Sequence, residues 1–243
     1  MRRPKAFTIV ELLVVIAIIA VLMSILVPAL QKARDQAKAV VCLTRLRGIG
    51  QAMQIYAANY KEYVMRGADP AKNWPYWMVA YMPYVGGASG DIKDFWEVKT
   101  YDCPAYPTKE QIVDFVINAW DFTTGGPEGA QANDPTKLAV FNRAEDTIYV
   151  ADYDYNLSNS LFRLVKRGDS PDSMKQALQY FDIWSSTHLP PAADATRRVA
   201  RDHLRRADQD IHQTSSNALF VDGHATAVPA YKNDRWLWGG PPP

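Results

Sequence analysis

The sequence predicts an α+β fold, a long N-terminal helix packed on an antiparallel β-sheet head. Three observations lead there. From Phe7 to Leu30 the chain reads FTIVELLVVIAIIAVLMSILVPAL, in which only Thr8, Glu11 and Ser24 are polar. Beyond it, apolar residues recur at helical spacing as far as Tyr60. Near the C-terminus, short apolar and alternating runs flank an Asp-Gly pair, the pattern of a hairpin. The 243 residues allow one sizeable domain with a small appendage, and 48% hydrophobic with 22% charged residues exclude both a disordered chain and a polytopic membrane protein. A net charge of +1 lacks the basic footprint of a general nucleic-acid binder, and two cysteines are too few for an all-thiolate zinc site.

The first element is the apolar helix. Its 24 residues, rising about 1.5 Å each, cover roughly 36 Å, enough to cross a hydrocarbon core of about 30 Å. Arg2, Arg3 and Lys5 precede it, which places the N-terminus in the cytoplasm and the larger remainder outside. A discarded secretory signal fits poorly, because the apolar run exceeds the usual length of about 7–15 residues. Glu11 also argues against it. A carboxylate near the membrane entry costs roughly 2.5–3.5 kcal/mol unless it has a partner.

The helix then turns amphipathic. Cys42, Leu46, Ile49, Met53, Tyr56 and Tyr60 share one face and read as core packing against the head. Gly48 and Gly50 weaken the helix or admit another backbone, and it ends near residues 59–62. Cys42 and Cys103 both fall in the exported part, where a disulfide closing about 60 residues would contribute roughly 4 kcal/mol. Two buried free thiols are the other reading.

Residues 147–153 (TIYVADY) and 161–165 read as strands, and residues 122–136 (FTTGGPEGAQANDPT) as a loop without periodicity. Residues 218–221 and 224–228 form a hairpin about Asp222 and Gly223, a pair that favours a two-residue type I′ turn. Arg197, Arg201 and Arg205 line one face of a basic helix, read as solvated because Asp194, Asp202, Asp208 and Asp210 offset it. Trp236 and Trp238 are expected to tuck against the head, with the Gly-Gly-Pro-Pro-Pro run beyond them extended.

The segment KAFTIVELLVVIAIIAVLMSILVPAL resembles the N-terminus of type IV pilins and type II secretion pseudopilins. The resemblance implies a leader, residues 1–6, removed between Ala6 and Phe7 by a prepilin peptidase, with methylation of the new Phe7 amine. Ala6 stands where the family usually has Gly. Glu11 matches the family's glutamate, whose partner would be the amine of a neighbouring subunit, and Pro28 matches the proline at which the helix loosens in filaments. VVCLTRLRGIGQAMQIYAANYKEYV, YDCPAYP and HQTSSNALFVDGHATAV resemble the prepilin-type proteins with an H-X9-DG motif, here His212, nine residues, then Asp222 and Gly223.

This implies four segments: residues 1–6 as leader, 7–30 as transmembrane and filament-core helix, 31–60 as its amphipathic continuation, and 61–243 as a pilin-like head. The expected role is structural and non-enzymatic, a subunit of a type IV pilus-like or secretion pseudopilus filament. The expected partners are other copies of the chain, the prepilin peptidase, an inner-membrane assembly platform and the membrane itself, with no nucleic acid. The chain would sit in the cytoplasmic membrane before assembly and in an extracytoplasmic filament afterwards. A monomeric membrane-anchored binding module is the alternative. No catalytic motif is present. His212, Asp222 and His224, two imidazoles and a carboxylate, could hold a transition metal, or the histidine could simply bond the turn backbone. The resemblance implies calcium in the head of some pseudopilins, which makes the acidic Asp152 and Asp154 the better metal candidates and calcium the candidate ion. Without the leader's three basic residues, 27 Lys+Arg become 24 against 26 Asp+Glu, so the near-neutral total averages a basic leader and a mildly acidic exported part.

Overall fold

Thr8 caps the first helix, α1, which runs Ile9–Asn59 and takes up the whole apolar segment and its amphipathic continuation. The computed structural model describes residues 8–67, 76–86, 90–106, 110–121, 132, 134–154, 165–178, 181–183, 188 and 215–229. The leader with Ala6 and Phe7, residues 161–164, the arginine face at Arg197, Arg201 and Arg205, His212, and the tryptophans and prolines at the end lie outside these residues. The chain divides into two compact units, Met1–Lys38 and Ala39–Pro243, and α1 contributes to both.

In the first unit the side chains of α1 from Ile9 to Leu30 are exposed throughout. Pro28 sits inside the helix, which continues through it. A proline has no N–H for the carbonyl four residues back, here that of Ser24. The Ser24 hydroxyl donates to the Val21 carbonyl at 2.7 Å, which settles its own polar group locally.

In the second unit Cys42, Leu46, Ile49 and Met53 of α1 are completely buried, joined by Ala52 and Ala57. The stripe rolls out of the core toward its end, and Tyr60 is 51% exposed. Elements packed with it are α2 (Trp77–Val85), β2 (Phe115–Asn118), β4 (Ile148–Asp152), β6 (Ser215–Phe220) and β7 (Ala225–Pro229). Every residue of β2 and β4 is buried, which is why FVIN and IYVAD read as near-continuous apolar runs rather than alternating ones.

A two-stranded sheet pairs β1 (Tyr63–Val64) with β3 (Thr136–Lys137). The main sheet runs β5-β2-β4-β6-β7, with β5 at Asp182–Ile183. Its β2/β4, β4/β6 and β6/β7 pairs are antiparallel, as the hairpin pattern predicts, but β5 lies parallel to β2 at the edge. Parallel neighbours need a long crossover, and the chain between β2 and β5 includes α3 (Pro171–Leu178). Residues 161–165 do not enter the sheet at their one described position, Val165, and β4 is shorter than the predicted run, so Asp154 falls two residues past its end.

The hairpin turn differs from the type I′ expectation. Gly223 N–H donates to the Phe220 carbonyl at 2.9 Å, and Phe220 N–H to the His224 carbonyl at 2.8 Å, closing a three-residue loop over 221–223. Only Gly223, at φ +96°, is left-handed; Asp222 is not. Asp222 Oδ1 accepts the His224 N–H at 3.0 Å, a local bond that holds the aspartate in its turn while the glycine takes the positive φ. His224 accordingly precedes β7 instead of lying in it.

Candidate assembly helix and signature hairpin

Glu11 finds its partner within its own chain. Its Oε2 accepts the Thr8 N–H at 2.8 Å and the Thr8 hydroxyl at 2.9 Å, while Glu11 N–H donates to Thr8 Oγ1 at 3.3 Å. This reciprocal arrangement is a capping box, with Thr8 at the N-cap and Glu11 at the third helical position. The T-x-x-E spacing before an apolar run was legible in the sequence, and reading Glu11 only as an intermolecular partner passed over it. Both bonds from Thr8 fall on one oxygen. Beyond the cap, Ile9 is 83% and Ile25 69% exposed, within an apolar surface that only lipid or other apolar helices could cover. By length and composition this helix can cross a membrane.

The Asp222–Gly223 turn is fastened to α1. Gln54 Nε2 donates to the Val221 carbonyl at 3.3 Å and an Arg47 guanidinium nitrogen to the Ala225 carbonyl at 3.4 Å. Between them sits Gly50. A Cβ there would lie 2.8 Å from Leu219 Cδ1 and 3.2 Å from the Gly223 carbonyl oxygen. The glycine therefore serves close approach of the turn, the second of the two readings open at that position. Asp222 Oδ1 also meets His224 Nδ1 at 2.6 Å, and the His224 ring stacks on Phe220 with centroids 4.2 Å apart.

Cys42 on α1 is joined to Cys103 in a disulfide, Cα to Cα 5.3 Å. Next to it, Arg45 Nη1 reaches Asp102 Oδ2 at 3.1 Å, and the buried Asp114 Oδ2 accepts the Cys103 N–H at 2.6 Å. Sequence reasoning missed Arg45, Asp102 and Asp114, since nothing in their spacing marks a contact across 57 residues.

The metal candidates separate. Asp152 is buried on β4, where its Oδ2 accepts the Asn217 N–H at 2.8 Å and so holds the neighbouring strand β6. Asp154 is buried beyond the strand, whereas Asp222 and His224 are exposed at the turn. Among the described residues no three His, Cys, Asp or Glu side chains converge to hold an ion. His212 lies outside them.

Residues 1–27 match the family model for the prokaryotic N-terminal methylation motif. A relative, the type IV wide pilus major component PilA4 of Thermus thermophilus, is 38% identical over 68 residues, 28% of this chain and 52% of the relative.

The chain carries the prepilin N-terminal methylation motif and is similar over part of its length to a type IV pilin.

It spans about half the length of the curated relative it matches. No solved structure matches it. The matched motif contains Glu11 and its capping partner Thr8, while Pro28 and the H-X9-DG segment lie beyond the match. The long apolar helix and the sheet it precedes give the α+β architecture that the sequence predicts. The methylation motif and the exposed apolar helix fit a membrane-anchored precursor.

Proposed function

We propose that the chain is a structural, non-enzymatic subunit of a type IV pilus-like or type II secretion pseudopilus filament. In this reading a prepilin peptidase cuts between Ala6 and Phe7, Phe7 is methylated, and the retained helix first anchors the chain with its N-terminus inside. An inner-membrane platform then stacks the copies into a filament outside the cytoplasm. The supporting observation is the conjunction at the N-terminus: a methylation motif over residues 1–27 on a helix whose apolar side chains from Ile9 to Leu30 are all exposed. Head-to-tail stacking of such helices is heterologous and does not close, so it yields an open filament.

Glu11 acts as the register device. Thr8 engages Oε2 and leaves Oε1 for a cation, the methylated amine of the next subunit. A slipped copy would bury both charges unpaired, at a cost of about 3–5 kcal/mol. Pro28 supplies the weak point where the helix loosens on assembly. The test is the yield of sheared filaments from cells expressing wild type, Glu11→Ala or Glu11→Gln at equal levels. Both variants are expected to lower the yield at least about tenfold. Unchanged yield would remove Glu11 from assembly, and no filaments from any of the three would favour a monomeric anchored module.

A further inference from the structure

The last turn of α1 builds a pocket that the filament reading does not use. Glu62 N–H donates to the Ala57 carbonyl at 2.8 Å, the six-to-one bond of a Schellman motif, and the residue at its left-handed position is Lys61, φ 54°, where glycine is usual. Glu62 follows at φ 64°. This sharp reversal swings the chain into β1 and brings Tyr63 round beside the helix end. The result is an open depression of about 520 Å³ lined by Tyr56, Asn59, Tyr60, Lys61, Tyr63 and Pro135, with Met65 at its base.

Its surface is aromatic. Tyr56 and Tyr60 stack with centroids 4.2 Å apart, which occupies one face of the Tyr60 ring, and Tyr60 as a residue remains 51% exposed. Lys137 Nζ lies 5.5 Å over the Tyr63 ring, which braces that side chain. The polar side chains of the lining are the Asn59 amide, the Lys61 ammonium and the tyrosine hydroxyls, every one of which can donate, and no carboxylate is among them. Two consecutive non-glycine residues in left-handed backbone cost on the order of 1–3 kcal/mol each, and here they shape the rim of the pocket.

Flat aromatic faces with donors and no anionic acceptor suit one ligand chemistry closely. A proline-rich segment in polyproline II form presents pyrrolidine rings to stack and backbone carbonyls that have no internal partner, and prolines offer no N–H in return. The chain carries one run of three consecutive prolines, Pro241, Pro242 and Pro243, preceded by Gly239 and Gly240. Three residues of polyproline II span about 9 Å.

We infer that the tyrosine pocket at the end of α1 is a docking site for the Gly-Gly-Pro-Pro-Pro segment, residues 239–243, of a second copy of this chain. The choice of a second copy as source rests on the filament reading: a pocket on one subunit and a tail on the next make a heterologous contact that repeats without closing.

The test is fluorescence anisotropy of a labelled synthetic peptide, residues 236–243, titrated with the full-length chain in detergent. Saturable binding is expected, about tenfold weaker with Tyr60→Ala or Asn59→Ala and lost for a peptide with serine at the three proline positions. Near-ultraviolet circular dichroism checks that the variants fold, and Asn59, being an exposed helix residue, serves if Tyr60→Ala does not. A chain with serine at positions 241–243 is expected to bind the peptide as tightly as wild type. Tenfold tighter binding would show that the pocket is filled by its own tail and would overturn the second-copy source. Binding that ignores Tyr60→Ala and Asn59→Ala, or that accepts the serine peptide, overturns the site. Saturation by cellohexaose with no peptide binding would assign the pocket to sugar. Failure of the filament reading reads differently: no sheared filaments form, while the peptide still binds the pocket.

Discussion

Two glycines two residues apart in α1 make opposite demands. At Gly50 a methyl group would press on Leu219 and on the backbone oxygen of Gly223. At Gly48 the nearest side-chain atom, Thr100 Cγ2, is 3.6 Å away, an ordinary contact. Gly50→Ala is therefore expected to destabilise the chain by about 1–3 kcal/mol, because overpacking outweighs the helix-propensity gain. Gly48→Ala is expected to stabilise it by roughly 0.5–1 kcal/mol. Urea denaturation of the detergent-solubilised variants, followed by near-ultraviolet circular dichroism, measures both; equal shifts would contradict the docking of the 221–223 turn on Gly50. Lys61→Gly removes the Cβ from a left-handed position and should add roughly 0.5–1 kcal/mol in the same assay.

At the scale of elements, the disulfide and the sheet show what the sequence could and could not convey. The helix was legible because its periodicity is local, and the four buried stripe positions follow from spacing alone. The parallel placement of β5 was not, since two residues, Asp182 and Ile183, carry no periodicity and their partner lies 65 positions earlier, Ile117 opposite Asp182. Asp222 illustrates the same limit within one turn: Asp-Gly marks a hairpin, but a hydrogen bond from His224 decides which loop forms. Glu11 was legible in full as a charge in an apolar run and only half understood, its capping role needing Thr8 to be read with it. For the disulfide, closing a loop with 61 residues of separation gives about 4 kcal/mol by chain entropy. The Cys42→Ser, Cys103→Ser double variant is expected to lose about 2–5 kcal/mol, and reductant should lower wild type, but not the variant, by the same amount. Equal stability under both conditions would mean that the bridge stabilises nothing.

Across the whole molecule, the buried phenols set an alkaline limit. Met65 N–H donates to the Tyr81 oxygen at 3.0 Å, the Tyr81 and Tyr149 hydroxyls meet at 2.5 Å, and Tyr149 donates back to the Met65 carbonyl. Burial pushes Tyr81, Tyr101 and Tyr149 above their ordinary value of 10.0. The folded chain keeps these protons while the unfolded chain releases them as pH rises through about 10, so stability present below that pH falls above it. Arg66 works the other way. Burial lowers it to about 10, with Tyr149, Asp121 and Tyr81 opposing, so its folded form releases a proton before its unfolded form and offsets part of the phenols' effect. The net expectation is a melting temperature that drops above about pH 10, with the last part of the tyrosinate absorbance appearing only together with unfolding. Tyrosinate absorbance that reaches its full value while the fold persists would contradict the burial of Tyr81, Tyr101 and Tyr149.

The structural role itself is tested most directly by the intact mass of this chain recovered from filaments sheared off the cell surface. The expected mass is that of residues 7–243 with one added methyl group on Phe7 and the cysteines oxidised. A chain found only in the membrane fraction and still beginning at Met1 would contradict the filament account.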